Sequence, residues 1–186
     1  FRAAAEGFAL AGINWCGTMS FDTAGRTMMG MTSEAMVRMV EALSNPPLGF
    51  GANCGTGASD LLRTVLGFAS QRSALPIIAK GNAGIPKYID GHIHYDGTPE
   101  LMADYAVMAR DCGATIIGGC CGTMPEHLSK MRAALDEQPK SVPPKLDDIV
   151  ARIGPFSSAS DGTGDTDATP PRRRTRRATK AKQSQQ

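Results

Sequence analysis

The sequence predicts an α/β fold organised on a parallel sheet. Four short apolar runs are each followed by an amphipathic stretch of helix length, so strand and helix alternate in units of about 30 to 40 residues. Turn and capping residues separate the units. Glycine, cysteine or a polar residue stands at the C-terminal end of every run, where such folds gather their functional groups.

Residues 1–10 read as a helix, and Gly12 offers the left-handed residue that ends one. The run from Ile13 to Phe21 reads as a buried strand. A loop from Asp22 to Gly30 leads to Ser33, expected to cap a helix whose Ala35, Met36, Met39, Val40 and Leu43 share one face. Pro46 and Pro47 cannot continue it. The second unit is a strand from Leu48 to Cys54 and a helix opened by Ser59, with Leu61, Leu62, Val65, Leu66 and Ala69 turned inward. In the third, Pro76 to Lys80 forms the strand and runs into Gly81-Asn82-Ala83-Gly84-Ile85-Pro86. After a longer loop Thr98 is placed to cap a helix and Pro99 to fill its first turn. That helix carries Leu101, Tyr105, Ala106, Met108 and Ala109. The fourth strand runs from Ala114 to Gly119, and Thr123 with Glu126 has the T-x-x-E spacing of a capping box.

An open doubly wound sheet and a closed barrel both fit this alternation. No G-x-G-x-x-G opens a helix, and the functional residue types gather at the strand ends, which favours the barrel. Four units make half of an eight-stranded barrel. Residues 1–153 are therefore expected to form the C-terminal half of a (β/α)8 TIM barrel. Phe1 is not an initiator methionine and the first helix reads as entered partway, so the chain is expected to be the C-terminal part of a longer protein. A half barrel leaves two sheet edges open and is expected to be inactive alone. From Pro139 the pattern changes to an extended segment with one helical turn. Residues 154–186, rich in Ser, Asp, Gly, Thr and Pro and ending in a basic cluster, are expected to be disordered.

Composition narrows the function classes. With 186 residues and 41% hydrophobic side chains the chain can bury one sizeable core. No apolar run reaches the length of a membrane span. Residues 1–153 hold thirteen Lys and Arg against fifteen Asp and Glu, whereas seven basic residues lie between Arg172 and Lys182. The small net charge thus hides a mildly acidic body with a basic tail. Without aromatic interleaving or a recognition fold, that tail is expected to be solvated, and nucleic acid is not the expected partner. Five cysteines, an odd number in no disulfide-framework spacing, suit a reducing cytoplasm.

Gly118-Gly119-Cys120-Cys121-Gly122 is the stretch that points to chemistry. Successive strand side chains face opposite ways, so two adjacent thiols reach one point only where the backbone leaves the strand, and the flanking glycines permit that. Cys54 also follows a strand beside a glycine. Three thiolates with an open fourth position match the logic of a catalytic zinc site. Small buried packing residues are the alternative, and Cys16 and Cys112 are expected to be that.

Gly51-Ala52-Asn53-Cys54-Gly55, followed by Gly118 to Thr123, resembles the zinc signature of the homocysteine S-methyltransferase family, which includes the betaine-homocysteine methyltransferases and the homocysteine domain of cobalamin-dependent methionine synthase. Residues 20–30 and 82–86 also resemble that family's loops. The resemblance covers residues 1 to 136. It implies a (β/α)8 barrel with Zn2+ held by Cys54, Cys120 and Cys121, and a homocysteine thiol activated as nucleophile to take a methyl group and give methionine.

The donor implied is betaine, with a methyl-corrinoid as the alternative. Asp22, Asn53 and Asn82 stand at strand ends where they can touch substrate or brace loops. The acidic residue for the homocysteine amino group is expected upstream of Phe1. A non-catalytic zinc module with a nucleic-acid-contacting tail is the reading from another class, and a homo-oligomer is left open. His92 and His94 lack a third ligand nearby, and His127 is expected at the surface.

Overall fold

The computed structural model describes residues 1–163. Six helices and six strands follow in the order α1 (Arg2–Ala11), β1 (Cys16–Met19), α2 (Ser33–Glu41), β2 (Gly49–Cys54), α3 (Ala58–Ser70), β3 (Ile77–Gly81), β4 (Lys87–Ile89), β5 (His92–His94), α4 (Pro99–Cys112), β6 (Ile116–Gly119), α5 (Pro125–Glu137) and α6 (Leu146–Arg152). The four expected strand-helix units are all present.

β1, β2, β3 and β6 pair in that order, every pair parallel. Strands thus lie side by side in chain order, with no reversal among the described residues of the kind that creates a doubly wound sheet. The arrangement is consistent with part of a TIM barrel wall.

Alternation along the strands sends Phe50 and Ala52 of β2, and Ile77 and Ala79 of β3, to one face. There they join Met36, Leu62, Val65, Phe68, Tyr105 and Met131 in a single core. Phe68 sits at its centre, with the rings of Phe21 and Phe50 edge-on at 5.5 and 5.3 Å. β3 ends at Gly81, where the Tyr105 ring leaves no room for a side chain: an added Cβ would lie 2.9 Å from the ring. The Gly81 N–H donates to the Tyr105 hydroxyl at 2.9 Å, which ties α4 to the end of the strand.

Several local expectations shift by a residue. α2 is capped by Thr32, whose hydroxyl accepts from the Ala35 N–H at 3.1 Å, and Ser33 is the first helical residue. The expected capping box at Thr123 and Glu126 moves too. Pro125 takes the first helical position, so Met124 becomes the cap and His127 Nδ1, in place of a carboxylate, accepts from the Met124 N–H at 2.9 Å. His127 is buried rather than at the surface. The expected buried first strand shortens to Cys16–Met19 at the sheet edge, with Cys16 and Ile13 exposed. The expected long loop after β3 contains the antiparallel hairpin β4–β5, turned by Asp90 and Gly91 with φ of 49° and 82°.

The described residues extend past the expected boundary at residue 153. Residues 154–163 cross the start of α3, where Ser59 Oγ donates to the Gly154 carbonyl at 2.7 Å and the Ser157 N–H donates to Asp60 at 3.0 Å. Arg63 reaches the Ser158 carbonyl at 2.9 Å and lies 4.4 Å from the Phe156 ring centroid. The rest of the expected tail, including the basic cluster from Arg172 to Lys182, lies outside the described residues.

Candidate metal centre

β2 delivers Cys54 to the C-terminal rim of the sheet in an unusual conformation. Its φ of +54° is left-handed, which costs a residue with a Cβ about 1 kcal/mol or more, and Gly55 continues the turn at +76°. The chain thereby leaves the strand at the cysteine itself.

β6 arrives beside it across β3. After Gly119 the Cys120 N–H donates to the Gly81 carbonyl at 2.7 Å, and the Thr123 N–H closes a turn on the Cys120 carbonyl at 3.2 Å. Gly122, at φ +75°, completes the turn that lets adjacent thiols face one point.

Asn82 locks the two cysteine segments together. Its Nδ2 donates to the Gly55 carbonyl and its Oδ1 accepts from the Cys121 N–H, both at 3.2 Å. Next to it the Ala83 N–H donates to the Cys121 carbonyl at 3.0 Å. At 3% exposure, with both ends of its amide engaged, Asn82 braces loops.

The three sulfurs of Cys54, Cys120 and Cys121 all lie within 4.8 Å of one another, and those of Cys54 and Cys121 are 3.8 Å apart. Two thiolates about 2.3 Å from a tetrahedral zinc ion would be about 3.8 Å apart, so the donor set fits that metal in type and the Cys54–Cys121 pair fits it in spacing. Cys54 and Cys120 are half-buried and Cys121 is exposed, which leaves the cluster accessible. Among the described residues no other group of three metal-binding side chains comes together. His92 and His94 are exposed on β5.

The other cysteines stand apart. Cys112 is buried in the core, where desolvation first and the neighbouring Asp111 second push its thiol up to about 12. It stays protonated at neutral pH and is unsuited to metal ligation. Cys16 is exposed, not buried as expected.

Two of the expected substrate residues lie outside this bracing. Asn53 immediately precedes Cys54 and pairs in register with Lys80. Asp22 is exposed in the loop after β1, accepts from the Thr23 hydroxyl at 3.2 Å, and borders a cleft of about 780 Å3 lined by Met19, Met28, Met29, Met31 and Met39. Among the described residues no hydrogen bond links Asp22 to the cysteine segments.

A model of the homocysteine S-methyltransferase family matches residues 1–135, well over half of the chain. The chain belongs to the homocysteine S-methyltransferase family. All three cysteines of the cluster fall inside the matched span. A crystal structure of the homocysteine methyltransferase MmuM from Escherichia coli, in its oxidized form, superposes with a TM-score of 0.53 over 71% of this chain, at 21% identity. That likeness concerns the fold. The chain spans 40% of the length of that protein. The match ends at residue 135, before α6 and the segment that crosses α3.

The sequence reading missed Tyr95, which lies beside the three cysteines, and the second role of His127. With Nδ1 accepting from Met124, its Nε2 must carry the proton that is shared with the Gly97 carbonyl at 2.9 Å. His127 therefore ties the start of α5 to the loop that carries Tyr95. The only local hint of this was its position three residues after Met124.

Proposed function

We propose that this chain supplies the zinc-binding part of a homocysteine S-methyltransferase, which transfers a methyl group from betaine to the thiol of homocysteine and yields methionine. The observation that carries the reading is the three-sulfur cluster at one rim, its sulfurs within 4.8 Å of one another and one pair at 3.8 Å, within a chain of this family. In this reading the chain is the C-terminal half of a (β/α)8 barrel, and Cys54, Cys120 and Cys121 hold the metal. Zinc bound there supplies Lewis-acid chemistry, favouring the deprotonated, nucleophilic form of a thiol at neutral pH.

The chain's own residues prepare the place. The left-handed turn at Cys54 and the turn through Gly122 aim the sulfurs, and Asn82 fixes one turn to the other. Asn53, beside Cys54, and Asp22, in the loop after β1, remain the proposed contacts for the amino acid part of the substrate. Free thiols require reducing conditions, which suits a cytoplasmic enzyme.

The assay that tests this supplies the intact, zinc-loaded protein with homocysteine and offers betaine and a methyl-corrinoid in parallel. Methionine formed with betaine is the expected result. Methionine formed only with the corrinoid would move the donor to the alternative, and none with either would defeat the methyl-transfer reading.

A further inference from the structure

Residues 154–163 lie beyond the span that matches the family, yet they touch both loops that carry the proposed site. The segment leaves α6, whose Ile149 is fully buried in the core. It first meets the turn that follows Cys54. The Ser157 hydroxyl donates to the Thr56 hydroxyl at 2.9 Å, Thr56 donates in turn to Asp60 at 2.9 Å, and the Ser157 N–H reaches the same carboxylate oxygen at 3.0 Å. Asp60 is buried and paired with Arg63, so this end of the segment is anchored on a buried ion pair.

The far end meets the loop that carries Asp22. Gly25 and Gly162 lie backbone against backbone: a Cβ on Gly25 would fall 2.3 Å from the Asp161 carbonyl carbon, and one on Gly162 would fall 2.3 Å from the Gly25 carbonyl oxygen. Both glycines have positive φ, 78° and 84°, so the crossing excludes side chains on steric and on conformational grounds. At this point the loop is a tight turn, closed by two hydrogen bonds of 3.0 Å between the Thr23 and Arg26 backbones. It runs on through Met28, Met29 and Gly30 along the cleft that Asp22 borders. The two loops also meet directly, since a Cβ on Gly55 would lie 3.6 Å from the Phe21 carbonyl oxygen.

We infer that residues 154–163 are a strap that positions the Asp22 loop against the Cys54 turn, and so sets where the amino acid part of the substrate lies relative to the cysteine cluster, a claim that rests on the proposed function for its substrate. Among the described residues Asp22 has no hydrogen bond to the cysteine segments, and the strap supplies the connection that its loop lacks. None of the strap residues lines the cleft, so they act through the loop they hold. The demand for such a hold is steep, because a misplacement of about 1 Å at a reacting group costs up to about 100-fold in rate. Gly162 and Ser157 are the positioning residues, one at each end.

The test compares the intact wild-type protein with Gly162→Ala, whose added methyl group meets the Gly25 carbonyl, and with Ser157→Ala, which removes only the hydroxyl link to Thr56. Both leave the Arg63–Asp60 pair in place. Three quantities are read on zinc-loaded protein: zinc stoichiometry, homocysteine affinity by titration calorimetry without a methyl donor, and amide hydrogen exchange of residues 22–30 without substrate. In Gly162→Ala the loop should exchange about tenfold faster and homocysteine should bind about tenfold more weakly, with zinc stoichiometry unchanged. Ser157→Ala should move both in the same direction by about threefold, and it decides the matter alone should Gly162→Ala fail to fold. Faster exchange with homocysteine affinity unchanged would reduce the strap to a structural brace, and unchanged exchange would remove even that; either result overturns the inference. Wild-type protein that takes up zinc but binds no homocysteine would defeat the proposed function and the substrate part of the inference with it, a failure visible before either variant is compared.

Discussion

Replacing Cys120 by serine is expected to abolish zinc retention and methyl transfer together. Serine matches cysteine in shape, but its hydroxyl stays protonated at neutral pH and is a hard donor where the site offers soft ones. Two thiolates then remain, and metal affinity should fall by more than about 100-fold, the upper end of what loss of an outer-shell partner costs. The fold should survive, because Cys120 is half-buried at the rim and its loop is held by backbone bonds to Gly81 and Thr123. Zinc stoichiometry, circular dichroism and methionine formation on one preparation check this. Retention of either zinc or activity would contradict the assignment.

Replacing Arg63 by alanine should produce the largest loss of stability. Arg63 and Asp60 form an ion pair at 2.7 Å on α3, exposed by only 8% and 6%. Asp60 also accepts from the Thr56 hydroxyl at 2.9 Å and from the Ser157 N–H at 3.0 Å. Removing the guanidinium leaves a buried carboxylate without its cation, which typically costs about 3 to 5 kcal/mol. The Ser158 carbonyl loses its donor and the Phe156 ring its cation at the same time. Denaturant unfolding should show a lowered midpoint, and limited proteolysis should cut within residues 154–163 in the variant first. Because Thr56 lies two residues after Cys54, zinc affinity should weaken as well, though less than in Cys120→Ser. An unchanged midpoint would mean that the segment crossing α3 contributes nothing to stability.

What could be read from the sequence follows the range of the interaction. The Thr98 cap and Pro99 at the start of α4 were legible because the signal and the structure lie within three residues of each other, and Thr98 Oγ1 does accept from the Leu101 N–H at 3.2 Å. At α2 two neighbouring hydroxyls, Thr32 and Ser33, offered the same signal, and only backbone geometry separates them. At α5 the spacing of Thr123 and Glu126 outweighed Pro125, although proline's preference for the first helical turn was the better guide. The hairpin turn at Asp90-Gly91 carried a readable signal in its own right.

For the site, the cysteines were legible by residue type and glycine context, and the parallel sheet brings the three sulfurs to one place. The bracing was not. Asn82 reaches segments 27 and 39 residues away, and the Ser157 bond to Asp60 spans 97 residues. Such contacts exist only once β2, β3 and β6 lie side by side. Tyr95 escaped for the same reason, since only the fold lays its ring on Gly122 beside Cys121.

The most direct test of the central claim is X-ray absorption at the zinc edge of the intact protein, recorded with and without homocysteine. A catalytic site built by Cys54, Cys120 and Cys121 predicts three sulfur ligands in the resting protein and four when homocysteine is added. Four protein ligands in the resting protein, unchanged by homocysteine, would mark a structural metal site and contradict it.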